Sequence, residues 1–265
     1  MKTPLRIAGT LLVPVAAWIC YLFLLAPSLI VVPISFGSSG EMEFPPREWS
    51  TALYQEFFAD PAWWGSLTRS LVIAVCVMVV TTILVVPAAY ALNRARLPGQ
   101  KIIAALAMGP LLVPVIVLAL GLYLQLAPLN MLNRTVTVVL AHTMLAMPFM
   151  MVSVGAALRH LDPAYEQVSL IMGARKGTIF FRVVLPQLKS GIAAGALFAF
   201  LISLDEVIVS YFITGPDTET LPVKMFSALR WEISPVIAAV STLLTVVSLV
   251  LALAMMRLER RELGA

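Results

Sequence analysis

The sequence predicts an all-α polytopic membrane protein. Three observations carry that expectation: an apolar composition, six long apolar runs, and a lopsided distribution of lysine and arginine between the connecting loops. Of the 265 residues, 60% are AVILMFWYC and 12% are charged. A soluble domain carries about 45–50% apolar and about 25% charged residues, so this chain has too few charges to cover a water-exposed surface. The same composition excludes a disordered chain and a small disulfide-stapled domain. Cys20 and Cys76 both fall in apolar runs without zinc spacing and read as small packing residues.

A membrane helix needs about 20 mostly apolar residues. Six runs meet that length, at roughly 8–35, 67–92, 102–126, 135–158, 190–213 and 235–256. The first follows Lys2 and Arg6 and has the look of a secretory leader. It is longer than the roughly 7–15 residues of a leader's apolar region, so it is expected to be an uncleaved span. Pro14, Pro27, Pro87, Pro148 and the Gly109-Pro110/Pro114 group interrupt the runs. Backbone groups freed at such points must find neighbouring helices or a wet cavity. The third run is the most broken and is a candidate to line a cavity, with a simple packing kink as the alternative.

Lysine and arginine set the orientation. Thirteen fall on one side: Lys2, Arg6, Arg94, Arg96, Lys101, those of the loop 159–189, and Arg257, Arg260 and Arg261. Five fall on the other: Arg47, Arg69, Arg134, Lys224 and Arg230. This places both termini in the cytoplasm and accounts for the net charge of +4 without a nucleic-acid partner. The first outer loop, about 37–66, holds Glu41, Glu43, Glu48, Glu56 and Asp60 against Arg47, with Trp49, Trp63 and Trp64 suited to a headgroup belt. Either it steers a cation or meets a partner, or it is a solvated loop that lacks lysine.

The loop 159–189 is too long for a plain connection. Asp162 is a good N-cap and Pro163 a good first helical residue, so a helix is expected from Pro163 to Met172, with Gly173 as its stop. A second basic amphipathic piece, Thr178 to Val184, is expected to end at Leu185-Pro186. Such surface helices either lie on lipid headgroups or enter a groove on a partner. Gln167-Val168-Ser169, then Gly173, then Val183-Val184-Leu185-Pro186 match the spacing of the EAA loop of ABC importer permeases. Gly, Leu and Pro are identical, Gln167 stands where that family usually has Glu, and Glu166 lies one position earlier. The resemblance implies the type I ABC importer permease fold, a single permease domain over 1–265, and a coupling helix seated in a cleft of an ATPase. The coupling residues it implies are Glu166, Gln167, Val168, Ser169, Gly173, Leu185 and Pro186.

The fifth run carries Asp205 and Glu206. Asp205 lies fourteen residues past Gly191, which at about 1.5 Å per residue is about 21 Å, roughly two-thirds of the way to the outer face. On a continuous helix the two acids diverge by about 100°. Acids inside a span are costly and mark a cation site or a gate, unless an arginine, hydroxyl or amide partners them. Tyr211 either frames an amine with its ring or packs. The stretch Ser203-Leu204-Asp205-Glu206-Val207, Gly215-Pro216, Thr220-Leu221-Pro222-Val223-Lys224 and Ser234-Pro235 resembles the second permease of spermidine/putrescine importers. That resemblance implies a polyamine substrate and a pathway through Asp205, Glu206 and Tyr211. Related permeases carry opines, phosphonates, amino-acid derivatives or iron, which remain alternatives.

Gly173-Ala174-Arg175-Lys176-Gly177-Thr178 lacks phosphate-loop spacing, and no metalloprotease or serine-elbow motif occurs. The sequence therefore offers no catalytic residue and no metal ligand. His142 reads as a hydrogen-bonded packing residue. ATP and Mg are expected on partner ATPases, with no cofactor in this chain. The expected partners are a second homologous permease, two cytoplasmic ATPases, an extracytoplasmic binding protein and membrane lipid, in a bacterial cytoplasmic (inner) membrane. An ion-coupled secondary transporter is the rival reading, although no internal repeat is visible. An assembly subunit with no pathway of its own is the other.

Overall fold

The computed structural model describes residues 4–38, 40, 42–95, 98–231 and 234–263. Lys2, Glu41 and Arg96, three of the charges weighed above, lie outside the described residues. All regular structure among the described residues is helical. Two compact units emerge: one within Met1–Trp64 and Ala228–Ala252, the other within Gly65–Ser227 and Leu253–Ala265.

In the first unit, α1 (Pro4–Ile34) stays helical through Pro14, Pro27 and Pro33. Its large side chains, Trp18, Leu22 and Phe23 among them, are exposed. The hydroxyl of Ser35 donates to the Val32 carbonyl at 2.6 Å and meets the Tyr54 hydroxyl at 2.7 Å, which ties the end of α1 to α2 (Ala52–Ala59). Leu53 and Phe57 of α2 are buried, with Trp63 against Phe57.

The second unit is built on α3 (Pro61–Arg94, of which 65–94 belong here), α6 (Thr135–His160) and α10 (Lys189–Asp205). Pro87 and Pro148 sit inside α3 and α6 without ending them. The third apolar run behaves differently. It is α4 (Gln100–Met108), a 3₁₀ turn Gly109–Leu111, and α5 (Val115–Leu126), with the two arms bent by 102°. The run expected to be the most interrupted is thus divided at its Gly109-Pro110/Pro114 group. Pro110 and Pro114 each lack an N–H and crowd the carbonyl four residues back, so two of them one turn apart stop the ladder where a lone proline only bends it.

The fifth run is also divided. α10 ends at Asp205, Glu206 is extended (φ −75°, ψ 113°), and α11 covers Ile208–Ile213. Among the described residues, three unbroken helices are long and apolar enough to cross a membrane, and two bent pairs bring the number to five. A shorter apolar stretch, Val236–Leu251, lies in α12 (Val236–Leu263).

Two core clusters result. Ile73 and Val77 of α3, Ala119 of α5, Val138, Ala141 and Ala146 of α6, Ala199 of α10, and Val209 and Ile213 of α11 form one. Val85, Val86 and Ala89 of α3, with Met150, Val154 and Leu158 of α6 and Ile179, Val184 and Leu188, form the other. Between α6 and α10 the backbones approach closely. A Cβ at Gly195 would clash with Met150, and one at Gly191 would lie 2.5 Å from Ala157 Cβ. The pair spaced by four residues is the small-residue device of membrane helix packing. Gly195→Val is accordingly expected to cost about 1–3 kcal/mol or more. Size-exclusion profiles in detergent check this, and a normal monodisperse peak with unchanged melting would show that the contact yields.

Candidate functional site

Two places hold the sequence's candidate residues, and α10 joins them. The first is the loop after α6. The Ala164 N–H donates to Asp162 Oδ1 at 2.9 Å, which caps α7 (Ala164–Ile171) with Pro163 just ahead of it. This is the N-terminus that Asp162-Pro163 predicts. At the other end, the Gly173 N–H donates to the Leu170 carbonyl at 2.9 Å and the Ala174 N–H to the Ser169 carbonyl at 3.0 Å. Gly173 has φ +85°. This is a Schellman turn, which only a residue at ease in the left-handed region closes without strain.

α7 presents Tyr165, Gln167, Val168, Ile171 and Met172 outward; Ile171 is 86% and Met172 82% exposed. Ser169 is half-buried and donates to the Tyr165 carbonyl at 2.7 Å. Glu166 turns the opposite way. Its carboxylate takes the Arg94 guanidinium at 2.7 Å and the Tyr90 hydroxyl at 2.7 Å, both from α3. Gln167, Val168 and Gly173 thus share an outer surface, and Glu166 faces inward.

The second piece is longer than expected. α8 (Lys176–Ile179) runs through a π turn, Phe180–Val184, into α9 (Leu185–Gln187). Leu185-Pro186 does not end the helix, as the sequence suggested. Pro186 sits in the first turn of α9, directly after the π turn. The bend into α10 comes at Leu188 and amounts to 75°.

The second place is the break after α10. Its seventeen residues span about 25 Å. Asp205 is exposed and makes no hydrogen bond or ion pair among the described residues. Glu206 is half-buried, and its Oε1 accepts the Val209 N–H at 2.8 Å, capping α11. Because the helix stops between them, the 100° divergence expected of two acids on one helix does not apply. One acid stays open and the other is spent on a cap. Tyr211 is 43% exposed, with its ring edge-on to Phe226 at 5.5 Å.

His142 bridges the break from α6. Its Nδ1 lies 2.9 Å from Ser203 Oγ on α10, and its Nε2 lies 2.8 Å from Ser210 Oγ on α11. All three side chains are buried. A neutral ring donates at one nitrogen and accepts at the other, so it satisfies both hydroxyls at once. The sequence marked His142 as a hydrogen-bonded packing residue but gave no sign of its partners, 61 and 68 residues away. His142→Leu is expected to cost about 1–3 kcal/mol by leaving two buried hydroxyls unpaired. A thermal melt in detergent that matches wild type would contradict this.

Residues 86–262 match the sequence model of the family described as "Binding-protein-dependent transport system inner membrane component". The chain belongs to this family. It is therefore an inner-membrane transport permease, and its helices are those of a polytopic carrier. The chain is 33% identical over 231 residues to the putrescine transport system permease protein PotI of Escherichia coli (strain K12), covering 84% of this chain and 82% of that one. It is 29% identical over 240 residues to the spermidine/putrescine transport system permease protein PotC of the same strain, covering 91% and 90%. Among solved structures, it superposes on a bacterial ABC transporter involved in import of the acidic polysaccharide alginate. The TM-score is 0.73 at 15% identity, and the match covers 98% of each chain. The permease thus has the fold of an ABC importer subunit, as the EAA-like spacing implied.

Proposed function

We propose that this permease is one membrane half of an ATP-driven importer for a small polyamine-class cation, putrescine or spermidine. The observation that carries the reading is the placement of Asp205, an open acid at a helix break, at the far end of the helix that begins after the α7 loop. The 33% identity to a putrescine permease over most of the chain supports the same substrate class.

In this reading the chain is a single permease domain that crosses the membrane six times, with both termini in the cytoplasm. The α7 surface of Gln167, Val168, Gly173 and Met172 docks in a groove of a cytoplasmic ATPase, where exposed apolar side chains gain a partner. A second permease of the same fold and an extracytoplasmic binding protein complete the assembly with two ATPases. ATP and Mg are held by those ATPases; this chain contributes no cofactor, no metal ligand and no catalytic residue. ATP binding closes the ATPases, the docked helices move as rigid bodies, and the cavity turns outward to take substrate. Asp205 then offers a carboxylate to an ammonium group, Tyr211 offers a ring face beside it, and Glu206 keeps the break in shape.

The test is uptake in proteoliposomes holding the assembled importer. Radiolabelled putrescine and spermidine are offered with internal ATP or with a proton or sodium gradient alone. Accumulation that needs both ATP and the binding protein is expected. Uptake driven by the ion gradient alone would overturn the reading.

A further inference from the structure

The inward turn of Glu166 is unexpected for a residue in a docking loop. Two groups of one helix meet its carboxylate: Tyr90 Oη donates to Oε2 at 2.7 Å, and Arg94 Nε forms an ion pair with Oε1 at 2.7 Å without hydrogen-bond alignment. Tyr90 and Arg94 are four residues apart and so share one face of α3. The Arg94 guanidinium also donates through Nη2 to the Leu161 carbonyl at 2.9 Å. Leu161 is the buried residue that closes α6. One arginine therefore holds the end of α6 and the middle of α7 together. The side chains of Arg94 and Glu166 are 22% and 13% exposed, so water screens the pair weakly. The Tyr90 ring continues the contact onto Phe180, at 5.1 Å.

α7 has only eight residues and lies between two changes of chain direction, the Leu161–Pro163 corner and the Gly173 turn. Without a lateral tie, a push on its outer face would turn it about those two corners. α3 runs from this tie to Ile73 and Val77, which pack in one cluster with Val209 and Ile213 of α11. It thus reaches the half-helix that follows Asp205 and Glu206, about 25 Å away at 1.5 Å per residue.

We propose that Tyr90, Arg94 and Glu166 form a clamp that makes α7 and α3 move as one body, so that α3 carries the ATPase stroke to the broken fifth span. Glu166 is thus a positioning residue inside the permease, and the ATPase meets the other face of α7. The clamp rests on the reading of α7 as the docking element.

The experiment uses the full importer complex, with Cys20 and Cys76 replaced by alanine and spin labels at Ala88→Cys on α3 and Ala164→Cys on α7, both exposed and outside the docking surface. Pulsed electron resonance measures the distance between the labels with and without ATP. In the clamped protein the distance is expected to be the same in both states. In Glu166→Ala, and in the isosteric Glu166→Gln, it is expected to change with ATP. ATP hydrolysed per putrescine imported is expected to rise about tenfold in both variants, within the range of ordinary couplings, while ATPase subunits still co-purify.

A label distance that already changes with ATP in the clamped protein would overturn the clamp. So would variants that keep the wild-type distance and ratio. Loss of the ATPases from the Glu166 variants alone would place Glu166 in the docking surface and overturn it too. Failure of the unmutated permease to retain ATPases would sink the docking reading, and the clamp with it. If that complex hydrolyses ATP without importing putrescine, only the proposed substrate falls, and the label distance still decides the clamp.

Discussion

Asp205→Asn is expected to lower putrescine uptake by about tenfold to a hundredfold, the effect of removing one charged hydrogen-bond partner of a cation, while leaving the amount of assembled importer unchanged. The asymmetry follows from the local structure. Asp205 is exposed and pairs with nothing among the described residues, so its charge contributes little to folding. Glu206 caps α11 through the Val209 N–H, and Glu206→Gln, which keeps an accepting oxygen, should retain the break. Initial uptake rates across a putrescine series, normalised to purified complex, distinguish the cases. A rise in half-saturating concentration places Asp205 in the binding step. A fall in maximal rate alone places it at a gate. An unchanged rate would remove it from the pathway.

The Gly173 turn should give the second large effect. Its φ of +85° strains most side chains, asparagine least, and a Cβ there meets nothing within 4 Å. The loss is therefore conformational rather than a clash. Gly173→Trp is expected to unwind the last turn of α7, displace Ile171 and Met172, and abolish ATP-driven uptake, while insertion and yield stay normal. Gly173→Asn should retain most of the uptake, because asparagine tolerates the left-handed region. Equal uptake by the tryptophan variant would remove the α7 end from the docking surface. Equal loss in both variants would show that something other than backbone conformation limits the site.

Much of this was legible in the chain. Asp162-Pro163 and Gly173 mark the two ends of α7 because capping is a local affair, decided by a few neighbouring backbone groups. The Gly109-Pro110/Pro114 group marks the third run as the most broken, and that pair breaks its helix, whereas Pro14, Pro87 and Pro148 stay inside theirs. A single missing N–H is absorbed by bending and by neighbours, whereas two in successive turns are not. The break at Glu206 carried no warning, because no proline or glycine lies between Ala196 and Thr214. There the helix stops where a carboxylate can cap the next one and a buried histidine can bridge both.

By itself the sequence determined the class, the long apolar runs, the loop that folds into a surface helix, and the place of two acids in the fifth run. Each depends on composition or on residues within a few positions of one another, where hydrophobic transfer and capping act. Only the tertiary structure decided which face each residue serves. Glu166 sits one place from Gln167, yet it turns inward to Tyr90 and Arg94, 76 and 72 residues earlier in the chain. Asp205 sits one place from Glu206, yet only one of them is spent on a cap. A charged group at a membrane boundary takes whichever partner removes it from unpaired burial, and that partner is brought near by helix packing rather than by the chain.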